Sequence, residues 1–306
     1  MTGLRGVYNI MATPFRDDGA LDEDSLRRLT EATIAMGVDG ITVLGVAGEA
    51  QKLLDAERRQ VLEIVIEVNA GRVPIIVGAT QNATDTTIAA CREAEQAGAS
   101  GVMVAPPLFL GPGPALTEHF RRLAEAISIP IVLQDFPPSN GVTMTPAAMA
   151  QLVNDIPGIT TIKLEDPPTP QRIAQTLALI ERDDATILGA LGGIYYLDEL
   201  RRGASGTMTG FAYPEVLVAI WRAWEAGDRR EAAEIFYRYL PLIQFEGQPR
   251  LGLAVRKEIL RRRGLIASAT VRHPGPRLDP GSLDDLIETI EIIGIDEEYP
   301  PARWAS

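Results

Sequence analysis

The chain has 306 residues, a formal charge of −12, 46% hydrophobic residues and 23% charged residues. That length holds one large barrel or two smaller domains, and that balance is typical of a soluble globular protein. The acidic surplus argues against nucleic-acid binding, and the absence of a run of about 18 apolar residues argues against a membrane helix. A single cysteine, Cys91, leaves no partner for an internal disulfide.

The patterning alternates short apolar runs with longer amphipathic segments. Gly6 to Met11 reads as a strand, and Asp22 to Ala35 as a helix with Asp22 as its N-cap. Strand and helix then recur as Gly40–Leu44 and Asp55–Ala70, Pro74–Gly78 and Thr84–Ala97, and Gly101–Val104 and a helix ending at Ala126 after the loop Pro106–Pro114. Ile131–Gln134 pairs with the helix Pro146–Asp155, and the β-branched run Ile159–Glu165 with Pro170–Glu181. Thr186–Leu188 leads to Ile194–Arg202, and Gly206–Met208 to Pro214–Ala226. Three more helices follow, at Arg229–Gln244, Arg250–Arg263 and Ser282–Ile293. An extended tail holds Trp304.

Eight strand–helix units predict an eight-stranded parallel β/α (TIM) barrel over residues 1–227, with a C-terminal helical extension and tail over 228–306. A doubly wound open sheet is the runner-up, weakened by the lack of a GxGxxG turn after the first strand.

Only three lysines occur, Lys52, Lys163 and Lys257, and Lys163 alone interrupts an apolar strand. Alternation puts Thr161, Lys163 and Glu165 on one face of that strand. Two readings are evenly matched: a structural ion pair of Lys163 with Glu165, or an amine of lowered pKa that attacks a carbonyl to form an imine. A barrel places its site at the C-terminal strand ends. Those ends are Thr13-Pro14, Gly45 to Glu49, Pro106-Pro107, Gln134 to Pro137, Lys163 with Glu165, Gly189 to Gly193, and Thr209 to Phe211. Free N–H groups in the turn Gly45–Gly48 can bind a carboxylate, although a tight turn that needs glycine explains the same residues. Two histidines and one cysteine, far apart, argue against a zinc site. His119 reads as a packing residue and His273 as a structural loop residue.

Four motifs are similar to the dihydrodipicolinate synthase / N-acetylneuraminate lyase family of class I aldolases: Thr13-Pro14-Phe15, Gly45-Val46-Ala47-Gly48-Glu49, Pro130-Ile131-Val132-Leu133 leading to Pro137, and Ile162-Lys163. The resemblance implies a barrel, an imine-forming lysine at Lys163, a homo-oligomer (dimer or tetramer) and a small-molecule 2-oxo acid substrate. The single cysteine fits a reducing cytoplasm, and no cofactor is needed because the amine itself is the electron sink. Departures are equally specific. Gln134 stands where aldol-type members have a proton-moving tyrosine, Val46-Ala47 where they have two threonines, and Leu108-Phe109 where they have a second tyrosine. The arginine that binds a second carboxylate in the synthase is absent near Ser139-Asn140-Gly141.

Val132 to Asp135, Met208-Thr209-Gly210, Leu240 to Ile243 and Arg272-His273-Pro274 resemble the L-2-keto-3-deoxyarabonate dehydratase subfamily. By that resemblance Lys163 is the nucleophile and Glu165 the proton shuttle. Val46, Ala47 and Gly48 meet the substrate carboxylate, and Gln134, Gly189 and Thr209 line the rest. The expected reaction is dehydration of a 2-keto-3-deoxy sugar acid to a 2-oxo semialdehyde. The alternatives are a synthase or aldolase of the same family, releasing pyruvate in the aldolase case, and a barrel that only binds 2-oxo acids.

Overall fold

The computed structural model describes residues 2–300, so the segment around Trp304 lies outside the described residues. Eight strands, β1 (Gly6–Ile10), β2 (Gly40–Val43), β3 (Ile75–Gly78), β4 (Gly101–Val104), β5 (Ile131–Asp135), β6 (Ile159–Leu164), β7 (Thr186–Leu188) and β8 (Gly206–Thr209), run parallel. β1 to β7 pair in sequence order, and β8 pairs with β1. Gly189 closes the ring: its N–H donates to Gly206 O at 3.1 Å and its carbonyl accepts from Met208 N–H at 2.9 Å. The expected parallel barrel is therefore what forms.

The connecting helices are α1 (Glu23–Ala35), α2 (Asp55–Asn69), α3 (Thr84–Gln96), α4 (Pro114–Ala126), α5 (Pro137–Asn140), α6 (Pro146–Asp155), α7 (Thr169–Leu177), α8 (Tyr196–Arg201) and α9 (Pro214–Glu225). Asp22 caps α1, its carboxylate accepting from Ser25 N–H at 3.1 Å. The C-terminal helices are α10 (Arg229–Glu246), α11 (Gly252–Arg262), α12 (Pro280–Ile293) and α13 (Ile295–Glu298). The anticipated boundary at 227/228 falls in the turn between α9 and α10, which pack against each other. Helix α7 stops four residues before the anticipated Glu181, and its last turn tightens to i→i−3 bonds, Leu179 N–H to Thr176 O at 3.0 Å and Ile180 N–H to Leu177 O at 3.3 Å. Short turns of 3₁₀ helix at Val46–Gly48, Ala50–Lys52 and Leu191–Gly193, and the one-turn α5, were not legible in the hydrophobic pattern. Such turns are too short to carry a period.

Two cores result. The outer one joins strands to helices. The inner one fills the barrel with Tyr8, Ile10, Ile76, Met103, Val132, Leu188 and Met208. A bulge in β6 decides which core receives Lys163. Ile131 pairs with Ile159 but Val132 pairs with Thr161, so Thr160 is an extra residue. Ile159, Ile162 and Leu164 pack in the outer core. The extra residue switches the parity of the strand, which lets Ile159 face outward while Thr161, Lys163 and Glu165 face the barrel axis.

Candidate active site

Lys163 stands at the upper edge of the inner core, 2% exposed, in register with Gln134 on β5 and Leu188 on β7. Its Nζ donates to Glu165 Oε1, and Gln134 Nε2 donates to the same oxygen at 2.8 Å. Burial pushes the Lys163 amine below the ordinary lysine range, and the attraction of the Glu165 carboxylate pulls it partly back. An amine placed this way is a nucleophile once it loses its proton.

A cavity of about 670 Å³ opens above this pair. Ile10 and Met103, the top of the inner core, are part of its wall. Around them stand Val46, Ala47, Gln134, Lys163, Glu165, Gly192 and Thr209 from the strand ends, and Gly247 to Arg250 and Arg256 from the α10–α11 region. The C-terminal extension is therefore part of the site wall.

Of the residues anticipated for substrate binding, Val46, Ala47, Gln134 and Thr209 reach this cavity. Two do not. Gly48 is turned inward, its N–H donating to Gly45 O at 3.0 Å and its carbonyl accepting from Thr13 Oγ1 at 2.7 Å. Gly189 has both backbone groups committed to closing the barrel, and its Cα faces the buried Glu199 carboxyl. The N–H groups of Val46 and Ala47 have no backbone partner, as the first residues of a 3₁₀ turn should not. Thr209 Oγ1 accepts from Gly192 N–H at 2.7 Å, so its hydroxyl also shapes the β7 loop.

The other two lysines share one acid. Glu49, 2% exposed and in the left-handed region at φ 55°, accepts from Lys52 at 2.9 Å, from Lys257 and from Arg272 N–H at 3.0 Å. Lys257 is fully buried although its sequence context is polar and helical. Burial lowers its pKa to about 8, against the pull of Glu49. It is not in the cavity wall, and Thr270 O holds it at 2.8 Å. Glu49 is thus a tie between loops. Phe15 completes that tie, its ring centroid lying 4.1 Å from Arg272 Cζ and 4.4 Å from Lys257 Nζ. His273 is exposed and stays out of the cavity, whereas nearby Pro276 enters its wall. His119 is buried against Thr84 Oγ1 at 3.0 Å, its pKa lowered to about 4 by burial.

Sequence reading missed Glu246 and Arg256. Arg256 Nε donates to Glu246 Oε1 at 2.5 Å and its Nη2 to Gly210 O at 2.6 Å, while Ala212 N–H donates to Glu246 Oε2 at 3.0 Å. The pair anchors the extension to the end of β8. A faint signal exists: Glu246 continues the buried stripe Phe236, Tyr239, Leu242 and Ile243 of α10.

Residues 3–293 match the dihydrodipicolinate synthetase family. The chain belongs to that family. It is 33% identical to an L-2-keto-3-deoxyarabonate dehydratase of Azospirillum brasilense, over 98% of this chain and 97% of that protein. It is 34% identical to a 4-hydroxy-tetrahydrodipicolinate synthase of Brucella abortus, over 78% and 82% of the two chains. Among solved structures, a dihydrodipicolinate synthase of Rhodopseudomonas palustris superposes with a TM-score of 0.88 at 36% identity, covering 95% of this chain and 99% of that one. Membership in the family makes the chain a lyase of the class I aldolase type. Among the described residues no group of three or more His, Cys, Asp or Glu is placed to hold a metal ion, and no helix is long and apolar enough to cross a membrane.

Proposed function

We propose that the protein dehydrates a 2-keto-3-deoxy sugar acid through an imine on Lys163. The observation that carries this reading is the shared oxygen of Glu165, which meets Lys163 and Gln134 together. Gln134 cannot titrate. Glu165 is therefore the acid–base group in contact with the reacting amine, placed to serve the carbon next to the imine.

Lys163 attacks C2 of the substrate, and the C2 oxygen leaves as water to give a cationic imine. The cation acidifies C3, and Glu165 takes a proton there to form an enamine. The C4–O bond then breaks, with the proton on Glu165 leaving in the departing water. A later proton shift from C5 to C3 leaves an enol at C5, the enol's O–H proton is exchanged for one on C4 to give the aldehyde, and hydrolysis frees Lys163. The net change is loss of one water, with no external oxidant or reductant. The free N–H groups of Val46 and Ala47 receive the substrate carboxylate. Thr209 and Gln134 contact its hydroxyls.

Similarity to the Azospirillum dehydratase over nearly the whole length supports this reading. A synthase matches over 95% of the chain as well, so the preference over the synthases rests on Gln134 and Val46-Ala47. Aldol cleavage would need a base at the C4 hydroxyl, where aldol-type relatives have tyrosine and this chain has Gln134. A panel of 2-keto-3-deoxy acids, followed for semialdehyde and for pyruvate, tests the assignment. Semialdehyde without pyruvate is expected. Pyruvate plus a shorter aldehyde would assign an aldolase instead.

A further inference from the structure

Glu165 stands one residue beyond the end of β6, past the last pair of the β5–β6 ladder, Asp135 with Leu164. Its N–H donates to Asp135 O at 2.9 Å, and there the ladder runs out. Gln134, which donates to Glu165 Oε1 at 2.8 Å, is the last residue of β5 that faces the cavity. Both side chains that meet at this oxygen therefore sit where strand pairing no longer fixes their position.

An acid follows each of them in sequence, and one cation holds both acids. Asp135 follows Gln134, points to the opposite face of β5 and is fully buried. Asp166 follows Glu165. Arg172, in the first turn of α7, places Nη2 at 3.1 Å from Asp135 Oδ2, 3.5 Å from Asp166 Oδ2 and 2.6 Å from Met144 O. One nitrogen thus ties the end of β5, the loop after β6 and the loop before α6. A buried ion pair is a weak source of stability compared with apolar packing. This one also leaves Asp135 Oδ1 and Arg172 Nε without a partner among the described residues. Its distinctive effect is on position. By drawing Asp135 and Asp166 to one point it sets the gap between the ends of β5 and β6, and with it the seat of Glu165 beside Lys163 and Gln134.

We propose that Arg172 is a positioning residue that, through Asp135 and Asp166, holds Glu165 where it can take the C3 proton of the imine. Arg172 does not line the cavity, so it acts through these neighbours and not on the substrate. The proposal rests on the imine reading of the site and adds to it the support of the proton-transfer step.

Pyruvate in D2O tests it without the sugar acid. Pyruvate condenses with Lys163 with loss of water, Glu165 takes a C3 proton to give the enamine, and a deuteron that has replaced that proton on the carboxyl returns to C3. Exchange followed by NMR reads the proton transfer, and borohydride trapping reads the imine. Arg172→Gln leaves Asp135 charged and buried, which endangers folding. The neutral pair Arg172→Gln with Asp135→Asn is therefore measured beside it. In this double variant the pyruvate concentration that half-saturates trapping should stay near the wild-type value. The exchange rate at saturation should fall by roughly 10- to 100-fold, the scale of loss when a catalytic group is displaced by about 1 Å. Arg172→Lys, which keeps the cation, should recover part of the rate. Exchange at the wild-type rate in the double variant overturns the proposal and leaves the imine reading intact. Equal loss of trapping and exchange also overturns it, since Arg172 would then support Lys163 or the fold and not Glu165. A wild type that is not trapped at all removes the imine reading, and the role of Arg172 with it.

Discussion

Lys163 is subject to two opposed influences. Desolvation favours the neutral amine, and the touching carboxylate of Glu165 favours the ammonium. Desolvation is the larger, so a usable fraction of free amine exists below the ordinary lysine pKa. Glu165→Gln removes the opposing charge. Its amine should lose its proton at still lower pH, moving the acid limb of the trapping profile downward. The same variant has no carboxylate to move the C3 proton. Dehydration should fall by about 100-fold or more, in the range typical for a lost general base, while the covalent adduct still forms. Equal loss of trapping and dehydration would mean that Glu165 acts only by holding Lys163 in place.

At the scale of elements, β6 and the end of β7 do most of the positioning. The bulge at Thr160 sets the face on which Lys163 emerges. Behind β7, Glu199 on α8 accepts from Thr169 Oγ1 at 2.6 Å and lies against Gly189. Burial raises its pKa from 4.5 to about 8. The folded chain therefore keeps a proton that the unfolded chain releases. The stability this contributes is complete below pH 4.5 and is lost as the pH rises to about 8. Glu199→Gln cannot ionise and keeps an acceptor for Thr169. Urea midpoints of the wild type should fall relative to this variant between about pH 5 and about pH 8. Parallel curves would show that Glu199 ionises as freely in the folded state as in the unfolded one. Much of this scale was legible beforehand. Strand and helix periods gave the barrel, and alternation on β6 paired Lys163 with Glu165. What escaped has physical reasons. Gly48 and Gly189 look like open turn residues until their hydrogen bonds are traced. The burial of Lys257 depends on Glu49, 208 positions away. Glu246 and Arg256 resemble surface charges until α10 and α11 meet the end of β8.

For the whole molecule, the C-terminal extension shares the outer core with the barrel through residues such as Phe236, Leu242, Val255 and Leu265, and ionic and stacking contacts add a clamp at its far end. Arg272 bridges Glu57 through both terminal nitrogens, reaches Gly19 O at 2.6 Å and Lys52 O at 2.9 Å, and stacks over Phe15. This clamp gives Thr13-Pro14-Phe15 a structural role away from the cavity: Thr13 ties the β1 loop to Gly48, and Phe15 receives the two cations. Arg272→Ala should cost about 2–3 kcal/mol, the range for losing a partly buried charged hydrogen-bond cluster, and should expose the segment 267–278 to proteolysis. An unchanged denaturation midpoint would place the strength of the attachment in α10 and α9 instead.

The proposed dehydration depends on the amine of β6 meeting an oxo group in the cavity. Borohydride reduction in the presence of pyruvate, followed by peptide mass mapping, reads that event in one step. A single adduct is expected on the peptide that carries Lys163, and none on those carrying Lys52 or Lys257. No adduct, or one on either of the other lysines, would contradict it.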